Sequence, residues 1–160
     1  QAALTGHLVL STLHTNDAPG AITRLVDLGV PPYLVSASLI GVLAQRLVRK
    51  ICPNCKEEYE PSIAIRKMVE RWNGSPLKFY RGIGCKKCRN TGYVGRIAIH
   101  ELFTSDEKIQ ELIVQGSTLR ALRTAALETG MRALYLDGVD KVAAGITTID
   151  EILRVANVDG

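Results

Sequence analysis

The chain has 160 residues, 46% of them apolar, enough for one compact domain or two small ones with a sizeable core. It contains no apolar run of the length that crosses a bilayer. The longest mild stretch, Tyr33 to Ala44, is interrupted by Ser36, Ser38 and Gly41, which excludes a transmembrane helix. A formal charge of +4 is only weakly basic.

Gln1 to Leu4 reads as the end of a helix, stopped by Thr5-Gly6. His7 to Leu13 is short, apolar and β-branched and is closed by polar residues, which predicts a buried strand. Asn16-Asp17 offers an N-cap and Pro19 a first turn for a helix carrying Ile22, Leu25 and Val26 on one face, with a stop at Gly29. Pro31-Pro32 opens a second helix, Tyr33 to about Leu47. This strand–helix–helix order fits the back half of an α/β domain.

Every cysteine then falls in one of two pairs, Cys52-Pro-Asn-Cys55 and Cys85-Lys-Lys-Cys88. Two intervening residues let both thiolates of a tight turn face one ion, and two such turns supply the four sulfurs of a tetrahedral zinc site. Turn formers stand at both knuckles: Pro53-Asn54, Gly82 and Gly84, and Thr91-Gly92. Cys55 and Cys85 enclose 29 residues, long for a zinc ribbon, so an ordered insert is expected. It holds one helix from about Ile63 to Trp72 and a possible strand from Leu77 to Tyr80. Disulfides or a redox pair are weaker alternatives. No secretory signal is present, and nothing places CxxC at a helix start in a βαβ unit. The cysteine usage fits a reducing cytosol. A closed four-thiolate shell holds a fold and does no chemistry. Arg46, Arg49, Lys50, Lys56, Lys78, Arg81, Lys86, Lys87, Arg89 and Arg96 cluster near the knuckles. They read as charge balance for the thiolates, against the alternative of an anionic partner: nucleotide, nucleic acid or lipid headgroups.

Tyr93 to Phe103 predicts a strand or hairpin arm, and everything after Ser105 predicts helix. Ser105-Asp-Glu caps one helix, Thr118 starts a second that stops at Gly130, and a third runs from about Met131 to Ala144 before Gly145. Thr148-Ile-Asp-Glu151 forms a capping box for the last.

His7 and His14 flank the first strand, which would hold them about 23 Å apart, too far to share a metal. His14 stands at its C-terminal end, the edge where ligand crevices of α/β sheets lie. There it can donate to a phosphate oxygen or orient a water. Thr12, Thr15, Asn16 and Asp17 surround the same edge, but such residues are also ordinary turn formers, and both readings stay open. No GxxxxGK[ST], GxGxxG or Ser-His-Asp pattern is legible. His100-Glu101 is not HExxH, since Thr104 stands where the second histidine would be. Arg96 is equally a surface arginine or a ligand contact.

Leu4-Thr-Gly-His-Leu-Val-Leu-Ser-Thr-Leu-His-Thr-Asn-Asp-Ala18 closely resembles the histidine box of the secretion ATPases, the cytoplasmic hexameric motors of type II secretion and type IV pilus assembly. The likeness continues through Gly41-Val-Leu-Ala-Gln-Arg-Leu-Val-Arg49, the paired cysteines and Gly92-Tyr-Val-Gly-Arg-Ile-Ala-Ile-His-Glu-Leu102. It extends over Asp137-Gly-Val-Asp-Lys141 and Gly145-Ile-Thr-Thr-Ile-Asp-Glu-Ile-Leu-Arg154, nearly the whole chain. The tetracysteine element resembles the secretion and pilus-extension branches, and His100-Glu101 the type II branch more than pilus assembly. In the family the P-loop, Walker B segment and catalytic glutamate lie upstream of the histidine box. The resemblance therefore implies the C-terminal part of a motor, inactive alone. It implies an α/β fold with the end of a RecA-like core over 1–51, a zinc insert over 52–92, and a C-terminal strand and helical subdomain over 93–160. It places His7 and His14 near the nucleotide and Arg96 in nucleotide contacts between subunits; the strand spacing then puts His14 on the phosphate side, as the catalytic candidate, and His7 at the other edge. Zinc would be structural, through Cys52, Cys55, Cys85 and Cys88, and ATP and Mg2+ would serve the full-length protein. The implied partners are a homo-hexamer and inner-membrane platform proteins, at the cytoplasmic side of the bacterial inner membrane. Two rivals remain: a freestanding interaction domain, and a zinc-ribbon nucleic-acid module, the latter opposed by only 5% aromatics.

Overall fold

A computed structural model describes residues 1–156. It is mixed α/β, and the chain packs as two units. One comprises Gln1–Ala44 and Glu101–Arg132; the other comprises Gln45–His100 and the residues from Ala133 onward. Among the described residues β1 (Gly41–Ile51) pairs with β4 (Tyr93–Thr104), and β2 (Lys56–Tyr59) with β3 (Phe79–Gly82). No described helix is long and apolar enough to cross a membrane.

In the first unit, α1 (Gly20–Asp27) starts where the Asp17 carboxylate accepts the Gly20 amide at 2.7 Å, as the Asn16-Asp17 signal requires. α2 (Pro32–Ser38) packs on α4 (Glu107–Val114), and Ser36 Oγ donates to the Gln110 carbonyl between them. Asp106 caps α4 and Thr118 caps α5 (Leu119–Glu128), each accepting the amide three residues on. Ile22, Val35, Phe103, Ile109, Ile113 and Leu122 form the core these helices close over.

Two expectations fail here. His7 to Leu13 is neither a strand nor buried: Leu8 is 78% exposed and Leu10 87%. A strand is buried when it joins a sheet whose faces are covered by other layers, and neither described sheet, β1–β4 or β2–β3, includes this segment. With the strand goes the premise for the 23 Å separation of His7 and His14. The helix expected to reach Leu47 ends at Ser38, and Gly41–Ile51 is strand instead. Ala44 and Val48 are among its buried positions, and a spacing of four suits a helix face and alternate strand residues equally. Pairing with β4 decides between them.

In the second unit, α3 (Ile63–Asn73) starts at Ser62, whose hydroxyl accepts the Ile65 amide, close to expectation. The short strand β2 carries no sequence signal of its own, and its partner β3 begins two residues later than the candidate strand at Leu77. The pair is antiparallel, from Lys56 opposite Gly82 to Tyr59 opposite Phe79. α6 (Leu134–Ala143) and α7 (Ile149–Val155) pack so closely that a Cβ on Gly138 would stand 2.6 Å from Ile152. Val48, Val69, Phe79, Ile99, Val139, Val142 and Ile152 make the core, with Trp72 tilted against Tyr135, ring centroids 4.7 Å apart.

The capping box is only half formed. Thr148 Oγ1 accepts the Glu151 amide, but the Glu151 carboxylate does not return the bond. It accepts instead the Arg49 amide at 2.8 Å, Arg49 Nη2 at 2.7 Å, and Arg154 Nε and Nη2 at 3.1 and 2.8 Å. Burial works to raise the Glu151 pKa, but the hydrogen bonds from Arg154 and Arg49 outweigh it and bring the carboxyl down to about 2.

Candidate functional site

The first knuckle leaves the end of β1. The Cys52 amide donates to the Gly92 carbonyl at 2.9 Å, and the Cys55 amide to the Cys52 carbonyl closes the turn. The Cys55 carbonyl accepts the Ile83 amide, so the first turn holds the approach to the second. Gly82 and Gly92 cross where no side chain fits: a Cβ on Gly82 would lie 2.1 Å from the Gly92 carbonyl oxygen. That crossing, more than turn chemistry alone, is why glycine stands at both positions. In the second knuckle Arg89 and Asn90 both take positive φ, at 53° and 60°. Asparagine tolerates this and arginine does so at a cost on the order of 1 kcal/mol.

These turns converge all four sulfurs to within 4.8 Å of one another. The Sγ separations are 3.9 Å for Cys52–Cys85, 3.9 Å for Cys55–Cys88 and 3.7 Å for Cys85–Cys88. A tetrahedral ion with bonds of about 2.3 Å sets its sulfurs about 3.8 Å apart. The cysteines are therefore positioned to hold one metal ion, and all four are free thiols rather than disulfides. Burial is the largest influence on both perturbed thiols. At Cys88 the amides of Cys85 and Gly92, donating to its sulfur at 3.2 and 3.3 Å, outweigh it and bring the pKa down to about 6. At Cys55 burial wins over the Gly84 amide, and with the neighbouring sulfurs pushes the pKa up to about 12. Four thiolates this close repel one another, and a cation lets all of them ionise.

Much of the surrounding positive charge has local partners. Arg81 pairs with Glu57 at 2.8 Å and Lys78 with Glu58 at 3.2 Å, while Lys56 sits 4.4 Å above the Tyr80 ring. Lys87 donates to Asn54 Oδ1, which ties the tips of the two knuckles together.

The remaining candidates differ from the cysteines in character. His7 is exposed, with Nδ1 3.0 Å from Thr5 Oγ1. His14 is exposed in a loop, and Arg96 is exposed on β4. The structure gives the two histidines no shared partner among the described residues. The segment from Thr15 to Ala18, directly after His14, is held firmly. Thr15 Oγ1 donates to the Asp17 carbonyl, Asp17 pairs with Arg123, and the Ala18 amide donates to Glu101 Oε1 at 2.9 Å. Sequence reasoning misses Glu101, Arg123 and the ionic role of Glu151. Ala18 stands 83 positions from Glu101 and Arg49 stands 102 from Glu151, which leaves no local spacing to read for these contacts; only Arg154, three residues after Glu151, is a near neighbour.

Among known proteins, the model of the type II/IV secretion system protein family matches residues 1–154. The type II secretion system ATPase E of Vibrio cholerae is 51% identical over 155 residues, 97% of this chain and 31% of the relative. The type II secretion system protein HxcR of Pseudomonas aeruginosa is 50% identical, over 97% of this chain and 29% of the relative. The type IV pilus assembly ATPase PilB of Thermus thermophilus is 48% identical, over 96% and 17%. The chain thus spans under a third of the length of these relatives.

Proposed function

The chain belongs to the type II/IV secretion system protein family, and from that premise we propose that it is the C-terminal portion of a cytoplasmic hexameric ATPase that powers type II protein secretion at the inner membrane. The observation that carries this is identity of about half across almost the entire chain to proteins named as type II secretion system components, one of them as the ATPase. A type IV pilus extension ATPase is the second reading, favoured by 48% and 46% identity to two pilus assembly ATPases.

In this reading 1–51 completes a RecA-like core, 52–92 is a metal insert, and 93–160 is the C-terminal strand and helical part. The four cysteines hold a structural zinc, supported by their sulfur spacing. The complete protein binds ATP and Mg2+, assembles as a hexamer and works against inner-membrane platform proteins. His14 acts beside the phosphates, with His7 and Arg96 as further nucleotide-side contacts. His14 no longer draws support from a strand edge; it rests on the histidine-box resemblance and on its place directly before the held loop at Thr15 to Ala18.

Complementation tests the branch. The complete protein carrying this sequence should restore secretion in cells lacking their type II secretion ATPase and leave cells lacking the pilus assembly ATPase unpiliated. The opposite pattern selects the pilus reading, and failure of both, with normal expression, rejects the motor reading.

A further inference from the structure

We propose that Glu101 and Arg123 are positioning residues that clamp the loop following His14, and so fix where the histidine stands for ATP hydrolysis; this rests on the nucleotide-site reading of His14 above. Three elements of one packed unit meet on this short loop. From β4, Glu101 is 5% exposed and its Oε1 accepts the Ala18 amide at 2.9 Å. From α5, Arg123 pairs with Asp17 Oδ2. The other oxygen of Asp17 accepts the Gly20 amide at 2.7 Å and so ties the loop to the start of α1. Thr15 Oγ1 closes the loop internally on the Asp17 carbonyl. His14 is the first residue outside this clamp.

A buried carboxylate is costly unless its oxygens are used. Here one is spent on the backbone of a loop whose Asn16 is exposed and whose Thr15 and Asp17 are half-buried. Ala18 is fully buried, so without Glu101 its amide would be left without this acceptor. The backbone from 15 to 18 would then be free to shift, and His14 with it. Catalytic geometry is sensitive to displacements of about 1 Å, so a shift of the clamp should appear in turnover rather than in ATP affinity.

The test uses the complete protein, purified as oligomers of matched yield. It measures kcat and KM for ATP and amide hydrogen exchange at Ala18. Glu101→Ala should lower kcat roughly 10- to 100-fold with KM within about twofold, and should speed exchange at Ala18. Glu101→Gln keeps an acceptor oxygen and should recover most of the loss. Wild-type kcat in Glu101→Ala beside a slow His14→Ala would overturn the clamp, as would an equal loss in Glu101→Gln. A His14→Ala protein at the wild-type rate would instead reject the nucleotide-site reading. In that case faster Ala18 exchange in Glu101→Ala, but not in Glu101→Gln, would still support the clamp, and unchanged exchange would reject it. If Glu101→Ala gives no soluble oligomer, Arg123→Ala carries the test: a kcat loss at constant KM supports the clamp, and wild-type kcat overturns it.

Discussion

The two cysteine knuckles and the segment from His7 to Ala18 are both short motifs, yet only one closes on itself. Each knuckle closes by bonds within a few residues, the second over the crossing of Gly82 and Gly92 at its base, and the two meet where the Cys52 amide donates to the Gly92 carbonyl and the Ile83 amide to the Cys55 carbonyl. The histidine segment takes its fixed geometry from Glu101 and Arg123, far along the chain, and its apolar stretch is left exposed. A motif that carries its own partners can be read locally. A motif whose partners are distant shows only its composition.

Metal removal should have the largest effect, because it attacks the self-contained region. Cys88→Ser should release the ion and loosen the insert around β2, β3 and the knuckles. Structural zinc sites supply about 10 kcal/mol or more to small folds. The helices at α4 and α5 should stay folded, since their core uses none of the cysteines. Amide exchange mapped across both regions checks this; equal loosening of α4 and α5 would erase the contrast.

Glu151 provides the next test, as a distant contact that the sequence concealed. Glu151→Ala leaves Arg49 and Arg154 without their shared carboxylate and should cost about 3–5 kcal/mol in denaturant unfolding. Its folded pKa, near 2, lies below the ordinary value of 4.5. The associated stability is therefore present above about pH 4.5 and lost as pH falls towards 2. Glu151→Gln should flatten that part of the pH–stability profile, and an unchanged profile would show that the carboxylate is not held ionised.

His14→Ala in the complete protein should cut kcat about 10- to 100-fold, equivalent to about 1.4–2.8 kcal/mol, with metal content unchanged. His7→Ala should matter less, since its ring is engaged by the neighbouring Thr5 and it does not stand beside the held loop as His14 does. A dead His7→Ala beside a near-normal His14→Ala would show that the roles are reversed.

The smallest effect belongs to the exposed stretch. Leu10→Ser should change the stability of this chain by less than about 0.5 kcal/mol, because Leu10 is 87% exposed. A loss above about 2 kcal/mol would mean that the stretch is packed and that the contrast with the knuckles is overdrawn.

Helix starts are the most legible part of the fold. Ser62, Asp106, Thr118 and Thr148 all accept an amide three residues on, because a cap is a local bond. The strand β1 reads as helix because Ala44 and Val48 satisfy both periodicities, and only the distant partner β4 separates them. The same limit applies to the site. Four cysteines, paired with two residues between, announce their cluster, while Glu101 and Arg123 carry no pattern until the fold brings them to Asp17 and Ala18.

In the proposed reading this chain is part of a motor whose phosphate-binding loop lies elsewhere in the complete protein, since residues 1–160 contain no GxxxxGK[ST]. Steady-state ATP hydrolysis, measured side by side for residues 1–160 and for the complete protein, tests that most directly. Turnover by the complete protein is expected, with none above background by 1–160, since positioning of the phosphates is most of phosphoryl-transfer catalysis. Robust hydrolysis by 1–160 alone, abolished by a substitution within it, would contradict the claim.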